Sequence, residues 1–169
     1  MKAKSNQFLQ WLLLLILTVL GIRYAIFHLN APNMRFQSTE LMQTDNRKKI
    51  TINDFKGNVV IVSCFQTWCS DCAGETPVLN QLATHLNSNQ FKIIYISDEN
   101  IELINAFHSR FTSDKIQFTK SPESLSNLGI HVFPTTYLLN KHGEVITTKL
   151  EGYNWLKEEA SIRKLLTAP

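Results

Sequence analysis

Residues 59–72 read VVIVSCFQTWCSDC and carry the clearest structural signal in the chain. Its first seven residues form a continuous apolar run rich in β-branched side chains, which is typical of a strand buried on both faces of a sheet. The following residues favour a helix over 70–86, because apolar side chains recur there at helical spacing. The sequence therefore places Cys69 and Cys72 where a buried strand gives way to a helix.

This position favours redox chemistry at the two cysteines. The first lies at a helix N-terminus, where unpaired backbone N–H groups and the helix dipole stabilise a thiolate. The second lies one turn further on, close enough to form a disulfide with little backbone movement. The alternative is half of a zinc site, which needs a second pair of ligands. Cys64 lies inside the predicted strand, and no pair at metal-ligand spacing occurs among the five histidines, His28, His85, His108, His131 and His142.

The rest of the chain predicts an α/β domain. Further strands are predicted over 50–52, 91–96, 135–139 and 144–150, and further helices over 101–111 and 154–166. A short helix is predicted to begin at Ser121-Pro122-Glu123-Ser124 and to end at Gly129. Asn140-Lys141-His142-Gly143 favours a hairpin turn between the last two strands. This order implies a sheet with helices on both faces.

The N-terminal segment is much more apolar than the rest of the chain. Of the 22 residues from Phe8 to Leu29, 17 are apolar, close to the roughly 20 that span a membrane. A signal anchor fits this segment, and Lys2 and Lys4 favour a cytoplasmic N-terminus. The alternatives are a cleaved signal peptide, for which no Ala-x-Ala pattern follows, and a buried core helix. The predicted organisation is an anchor over 1–29, a juxtamembrane linker over 30–48 and a domain over 49–169.

Charge and composition exclude several classes of protein. The net charge of +3 is fully accounted for by Lys2, Lys4 and Arg23, since 14 basic and 14 acidic residues remain after residue 29. Nucleic acid is therefore excluded as a partner. A hydrophobic share of 44% excludes a disordered chain, and three cysteines are too few for a small disulfide scaffold.

Several motifs together resemble a known family. They are the block 57–72, Glu75 and Pro77 at three and five residues after the second cysteine, Phe133-Pro134-Thr135-Thr136, and Asn140-Lys141-His142-Gly143-Glu144-Val145. In these motifs the chain resembles the TlpA/ResA-like membrane-anchored thiol-disulfide oxidoreductases of the thioredoxin superfamily. The resemblance runs from about Ile50 to Leu166. It implies a thioredoxin fold, a central mixed sheet flanked by helices, preceded here by one N-terminal transmembrane helix.

The resemblance also implies roles for the residues at the helix start. Cys69 is the expected nucleophile, which attacks a partner disulfide, and Cys72 is the resolving thiol that closes the internal disulfide. Glu75, one turn beyond Cys72, is the expected base for the resolving thiol; the alternative is an exposed helix carboxylate. Asp71, in the first helical turn, either stabilises the helix dipole or opposes the Cys69 thiolate by its charge.

A second set of residues is expected to bind the substrate. Sequence alone would make Pro134 an ordinary turn proline, but the resemblance implies a cis-proline that faces the disulfide, with Phe133 and Thr135 offering backbone groups to an extended peptide. Trp68 is expected to pack beside the cysteines and to shield them. Cys64 is expected to be a small buried hydrophobe.

One departure from the family pattern bears on proton transfer. Ser63 occupies the strand position where thioredoxin-like proteins often carry a buried Asp or Asn, which argues against a buried-carboxylate relay from this strand.

The predicted protein is a single-pass protein of the bacterial inner membrane whose domain faces the extracytoplasmic side. The resemblance implies that it reduces disulfides of exported proteins, with apocytochrome c among the candidates, and that a membrane thiol-electron transporter recharges it. No dissociable cofactor and no metal are expected.

Two other classes are weighed against it. A copper-binding module could use the cysteine pair with His131. A thiol peroxidase requires a Pro-x-x-x-Thr-x-x-Cys pocket, and Thr67 lies only two residues before Cys69.

Overall fold

A computed structural model describes residues 2–29, 32–111 and 115–168. The chain divides into two compact units, Met1–Ala31 and Pro32–Pro169. The first unit is the helix α1 (Lys2–Leu29), along which the large apolar side chains described are exposed. Within the described residues, no helix combines the length and the apolar character needed to cross a membrane. The predicted anchor includes residues outside those described, and it stays a prediction.

The described residues of the second unit form seven strands, three α-helices and two short 3₁₀ helices. In chain order they are β1 (Leu41–Gln43), β2 (Lys49–Ile50), a 3₁₀ helix (Ile52–Phe55), β3 (Val59–Cys64), α2 (Ser70–Leu86), β4 (Phe91–Ser97), α3 (Ile101–His108), β5 (Ile116–Lys120), β6 (Thr135–Leu139), β7 (Val145–Leu150), a 3₁₀ helix (Trp155–Glu158) and α4 (Glu159–Thr167).

The strands form one mixed sheet in the order β2-β1-β5-β4-β3-β6-β7. Strands β3, β4 and β5 run parallel, and β6 runs antiparallel to β3. The continuous apolar runs of β3 and β4 explain their central place, because both faces of these strands are buried. The predicted α/β class with a central mixed sheet is confirmed.

Alternate side chains of β3 enter two separate cores. Val59 and Ile61 face a cluster that includes both cysteines and residues of α2 and α4, whereas Val60 and Val62 face a second cluster on the other side. This alternation follows from the two-residue period of a strand. The sheet is therefore covered on both faces, and α2 is held with its N-terminus at the end of β3.

The strongest sequence patterns are confirmed in the structure. The helix α2 and the strand β6 have the predicted bounds, and β3 ends one residue earlier than predicted. The hairpin is also present, since the Asn140 N–H donates to the Glu144 carbonyl and Gly143 adopts φ +83°.

The predicted linker over 30–48 is wrong from residue 32 onward. Phe36 and Leu41 are buried in the second core, and β1 pairs with β5. A strand of three residues carries too little periodicity to be recognised from sequence. The strand predicted over 50–52 is shorter as well, because the chain enters a 3₁₀ helix at Ile52.

The short helix predicted over 121–129 is also wrong, and the strand β5 before it was missed. The segment is a series of turns with bonds between residues three apart, from the Asn127 N–H to Ser124 and from the Gly129 N–H to Ser126. The Leu125 N–H donates to the Asp98 carboxylate instead of a helical carbonyl. A tertiary contact has replaced the local helix. The predicted closing helix likewise begins as 3₁₀ and becomes α-helical only at Glu159.

Candidate active site

The two cysteines form a disulfide at the start of α2. Their Cα atoms are 5.3 Å apart. Cys69 is the N-cap residue of α2, and its Sγ accepts a hydrogen bond of 3.1 Å from the Cys72 N–H. The relative solvent exposure is 7% for Cys69 and 1% for Cys72. In the reduced state, the same N–H and the helix dipole would stabilise a thiolate on Cys69, the more accessible sulfur.

The loop of Pro134 lies next to the disulfide because of strand register. Thr135 at the start of β6 pairs with Cys64 at the end of β3, the strand that leads to Cys69. The Phe133–Pro134 peptide bond is cis, as the resemblance implies. Phe133 packs against the core cluster that contains both cysteines.

Trp68 is too exposed to shield the two cysteines, which was its predicted role. Its side chain is 73% exposed, and its ring meets the Phe133 ring edge-on at a centroid distance of 6.0 Å. The two rings form an apolar surface beside the disulfide that is open to solvent. Such a surface suits contact with a partner protein better than shielding of the sulfurs.

Glu75 is a buried carboxylate with a full set of partners. It is 2% exposed, so the alternative of an exposed helix carboxylate is wrong. Its Oε1 accepts from Trp155 Nε1 at 2.8 Å, and its Oε2 accepts from Thr136 Oγ1 at 2.9 Å and from Ser63 Oγ at 3.3 Å. Burial raises the pKa of Glu75, and these bonds, together with one from the Tyr153 backbone, offset part of that rise.

The buried carboxylate comes from the helix instead of the strand. Ser63, at the strand position, provides a hydroxyl donor to Glu75. The buried charge therefore lies on α2, and β3 contributes a neutral hydrogen-bond donor to it. Thr76, next to Glu75, donates to the Cys72 carbonyl at 2.8 Å and contacts the hydroxyl of the fully buried Tyr95 at 3.1 Å. These hydrogen bonds fix the first turns of α2 relative to the sheet.

Sequence reasoning missed the partners of Glu75. Trp155 lies 80 residues away and Thr136 lies 61 residues away in the chain. Trp155 is completely buried in spite of its position in a polar segment near the C-terminus. A large aromatic residue in such a segment was the one available signal, because a buried indole N–H needs an acceptor.

Cys64 lies in the sheet, apart from the reactive pair. It is a free thiol with no exposure, and burial, followed by the charge of Asp98, raises its pKa. A thiol in such surroundings is inert. Among the residues described, no group of three or more His, Cys, Asp or Glu side chains is placed to hold a metal ion. His131 is exposed in the loop before Phe133.

Comparison with known proteins agrees with this geometry. The Redoxin family profile matches residues 31–166. The thiol-disulfide oxidoreductase ResA of Bacillus thuringiensis is 31% identical over 118 residues, which are 69% of this chain and 65% of the length of that relative. ResA of Bacillus subtilis is 25% identical over 160 residues, or 86% of each chain.

A solved structure gives the same result for the fold. The crystal structure of StoA from Bacillus subtilis superposes with a TM-score of 0.56 and 22% identity, over 71% of this chain and 92% of that one. Because the Redoxin profile covers most of the chain, the chain belongs to the Redoxin family, and the disulfide at the start of α2 and the mixed sheet agree with this assignment.

Proposed function

We propose that this protein is a thiol-disulfide oxidoreductase that reduces disulfides of exported proteins. The observation that carries the proposal is the Cys69–Cys72 disulfide at the N-terminus of α2, with the open Trp68–Phe133 surface beside it. The site combines a stabilised attacking sulfur, a buried second sulfur and a place for a partner chain. The ResA relatives are thiol-disulfide oxidoreductases, which supports the same activity for this chain.

The reaction proceeds in two exchanges. The Cys69 thiolate attacks one sulfur of the partner disulfide, forms a mixed disulfide and releases the other partner sulfur as a thiolate, which takes up a proton. Cys72 then loses its proton and attacks Cys69 Sγ. The Cys69–Cys72 disulfide closes, and the second partner sulfur leaves as a thiolate. Two electrons have passed from the enzyme dithiol to the partner.

Glu75 is suited to accept the proton that Cys72 loses. It lies one turn after Cys72 on the same helix, and burial holds its pKa above the ordinary value. A carboxylate with a raised pKa is a stronger base than a solvated one. The bonds from Trp155, Thr136 and Ser63 keep it oriented while it is charged.

Glu75→Gln is expected to slow the closure of the internal disulfide about 10- to 100-fold, because it removes the base. In the wild type, closure should slow as pH falls through the raised pKa of Glu75, and the variant should lack this inflection. Stopped-flow measurement of closure from a preformed mixed disulfide, between pH 5 and 9, gives both results. Glu102→Gln, at an exposed carboxylate in the first turn of α3, is the control. An unchanged inflection in Glu75→Gln would rule out this role.

The raised pKa of Glu75 also predicts how the stability of Glu75→Gln, relative to the wild type, changes with pH. A folded-state pKa above the unfolded value means that Glu75 contributes stability below the unfolded pKa, which is lost as pH rises through the folded pKa. Glu75→Gln should therefore gain stability relative to the wild type as pH increases, since the neutral amide avoids charge burial. Urea unfolding at several pH values measures this difference.

The redox direction and location are proposed from the resemblance. We place the domain on the extracytoplasmic side of the bacterial inner membrane, held by the apolar segment 8–29 and recharged by a membrane thiol-electron transporter. Apocytochrome c is a candidate substrate. The support for the anchor is the sequence of that segment, with 17 apolar residues of 22.

One labelling experiment tests direction and location together. A membrane-impermeant maleimide applied to intact spheroplasts is expected to label Cys69 without permeabilisation, because the domain faces outward and its pair is kept reduced, whereas Cys72 is too buried to react in the folded protein. Buried Cys64 should react only after denaturation. Labelling that requires prior reduction would indicate an oxidase, and labelling that requires permeabilisation would contradict the proposed location.

A further inference from the structure

Two segments leave the sheet at the same edge, next to the disulfide. Strands β3 and β4 are parallel, with Cys64 paired with Ile96, so the residues after each strand emerge side by side. After β3 come residues 65–69, which lead to Cys69. After β4 come Asp98 and Glu99, two carboxylates that no step of the proposed reaction uses.

Glu99 binds the residue two positions before the nucleophile. Its Oε2 accepts from the Thr67 N–H at 2.6 Å, and its Oε1 accepts from Thr67 Oγ1 at 2.9 Å. Ser97 Oγ also donates to Oε2, at 3.3 Å. Both oxygens of one carboxylate thus hold one residue through its backbone and its side chain. Hydrogen bonds to a charged acceptor of this kind are stronger than neutral ones.

Asp98 joins the two loops that border the disulfide. Its Oδ1 accepts from Gln66 Nε2 at 2.7 Å, and its Oδ2 accepts from the Leu125 N–H at 2.8 Å. The Gln66 carbonyl in turn accepts from the Cys69 N–H at 3.1 Å. Leu125 begins the turns that lead to Pro134, and its carbonyl accepts from the Ile130 N–H at 2.9 Å. One carboxylate therefore bridges the segment before Cys69 and the segment before Pro134.

The backbone of Asp98 and Glu99 is held by a lysine on the next strand. Lys120 Nζ, at the end of β5, donates to the Asp98 carbonyl at 3.0 Å and to the Glu99 carbonyl at 2.6 Å. These two bonds hold the backbone of Asp98 and Glu99 against the sheet. The positions from which their side chains extend toward Gln66 and Thr67 are therefore fixed.

We infer that Asp98 and Glu99 are positioning residues that set the separation of the two substrate-facing loops, 65–69 and 125–134. The inference rests on the proposed function, since a partner chain must lie between these loops for Cys69 to attack its disulfide in line. A small, unhindered disulfide reaches Cys69 without that contact. Asp98 and Glu99 therefore affect the rate of reaction with protein disulfides more strongly than they affect the intrinsic reactivity of the dithiol.

The variants separate hydrogen bonding from charge. Asp98→Ala and Glu99→Ala remove the bonds. In Glu99→Gln the amide oxygen can accept from the Thr67 N–H while the amide nitrogen donates to Thr67 Oγ1. In Asp98→Asn the oxygen can accept from the Leu125 N–H while the nitrogen donates to a reoriented Gln66 amide. Glu102→Ala is the matched control on the following helix, where the carboxylate is exposed.

Hydrogen exchange tests the contacts without any activity measurement. Asp98→Ala is expected to speed exchange in both 65–69 and 125–134, and Glu99→Ala only in 65–69. The two amide variants should lie closer to the wild type than to the alanine variants, because they keep the hydrogen bonds without the charge, and Glu102→Ala should match the wild type. Exchange that stays unchanged in both loops of Asp98→Ala would overturn the inference. This outcome is independent of whether the protein proves to be a reductase.

Kinetics test the consequence for the reaction. With insulin as the protein disulfide, both alanine variants are expected to lose about tenfold in kcat/KM, mainly through KM. With the small disulfide DTNB, the rate should change less than twofold, and the reduction potential should stay the same. Equal losses with insulin and DTNB, or amide variants as impaired as alanine variants, would overturn it. A wild type that reduces neither compound would instead contradict the proposed function.

Discussion

Cys69→Ser is expected to lower the rate of disulfide reduction by more than about 10³-fold. A serine hydroxyl is not ionised at neutral pH, so it cannot replace the thiolate that attacks the partner. Cys72 cannot take over, because its sulfur is 1% exposed and lies one turn inside α2. Insulin reduction with a chemical reductant as the electron source measures this loss.

Two further variants separate this role from general damage. Cys72→Ser keeps the attacking sulfur and should accumulate mixed disulfides, visible as reductant-sensitive bands on non-reducing gels, whose captured partner identifies the substrate. Cys64→Ser is the control thiol in the sheet and should keep full activity in whatever fraction folds. If Cys72→Ser lost the ability to form mixed disulfides while Cys69→Ser retained it, the assignment of the two sulfurs would be reversed.

Trp155→Ala is expected to destabilise the domain by about 4 kcal/mol, the usual cost of removing a buried aromatic side chain. Trp155 is completely buried in the cluster that contains both cysteines. The substitution also removes the donor to Glu75 Oε1, which leaves a buried carboxylate oxygen without that partner. Urea unfolding at pH 7, followed by circular dichroism, measures the loss.

Trp155→Phe separates packing from hydrogen bonding. It keeps much of the ring volume and removes the Nε1 donor, at a cost of about 1–3 kcal/mol. Because the lost bond favours the charged carboxylate, the pKa of Glu75 should rise further, and the inflection in disulfide closure should move to higher pH. In a Glu75→Gln background the same substitution should leave closure without any inflection. An inflection at the wild-type pH in Trp155→Phe would show that the indole does not control Glu75.

The sequence alone determined the parts of this protein that depend on local pattern. The apolar run 59–65 predicted the central strand, and the periodicity over 70–86 predicted α2 with the bounds that the structure has. The position of Cys69 and Cys72 at their junction predicted the redox pair, whereas the loop of Pro134 was expected only from the resemblance of its motif to a known family. Each of these signals lies within one turn, one strand or one helix.

Only the tertiary structure decided what surrounds the pair. A helical pattern shows that Glu75 follows Cys72 by one turn, but its burial depends on Trp155 and Thr136, far away in the chain. The contacts of Asp98 and Glu99 likewise require β3 and β4 to end side by side. The same limit explains β1, which pairs through Met42 and Gln43 with a strand more than 70 positions later. Burial and pairing arise from long-range packing, which a local pattern does not contain.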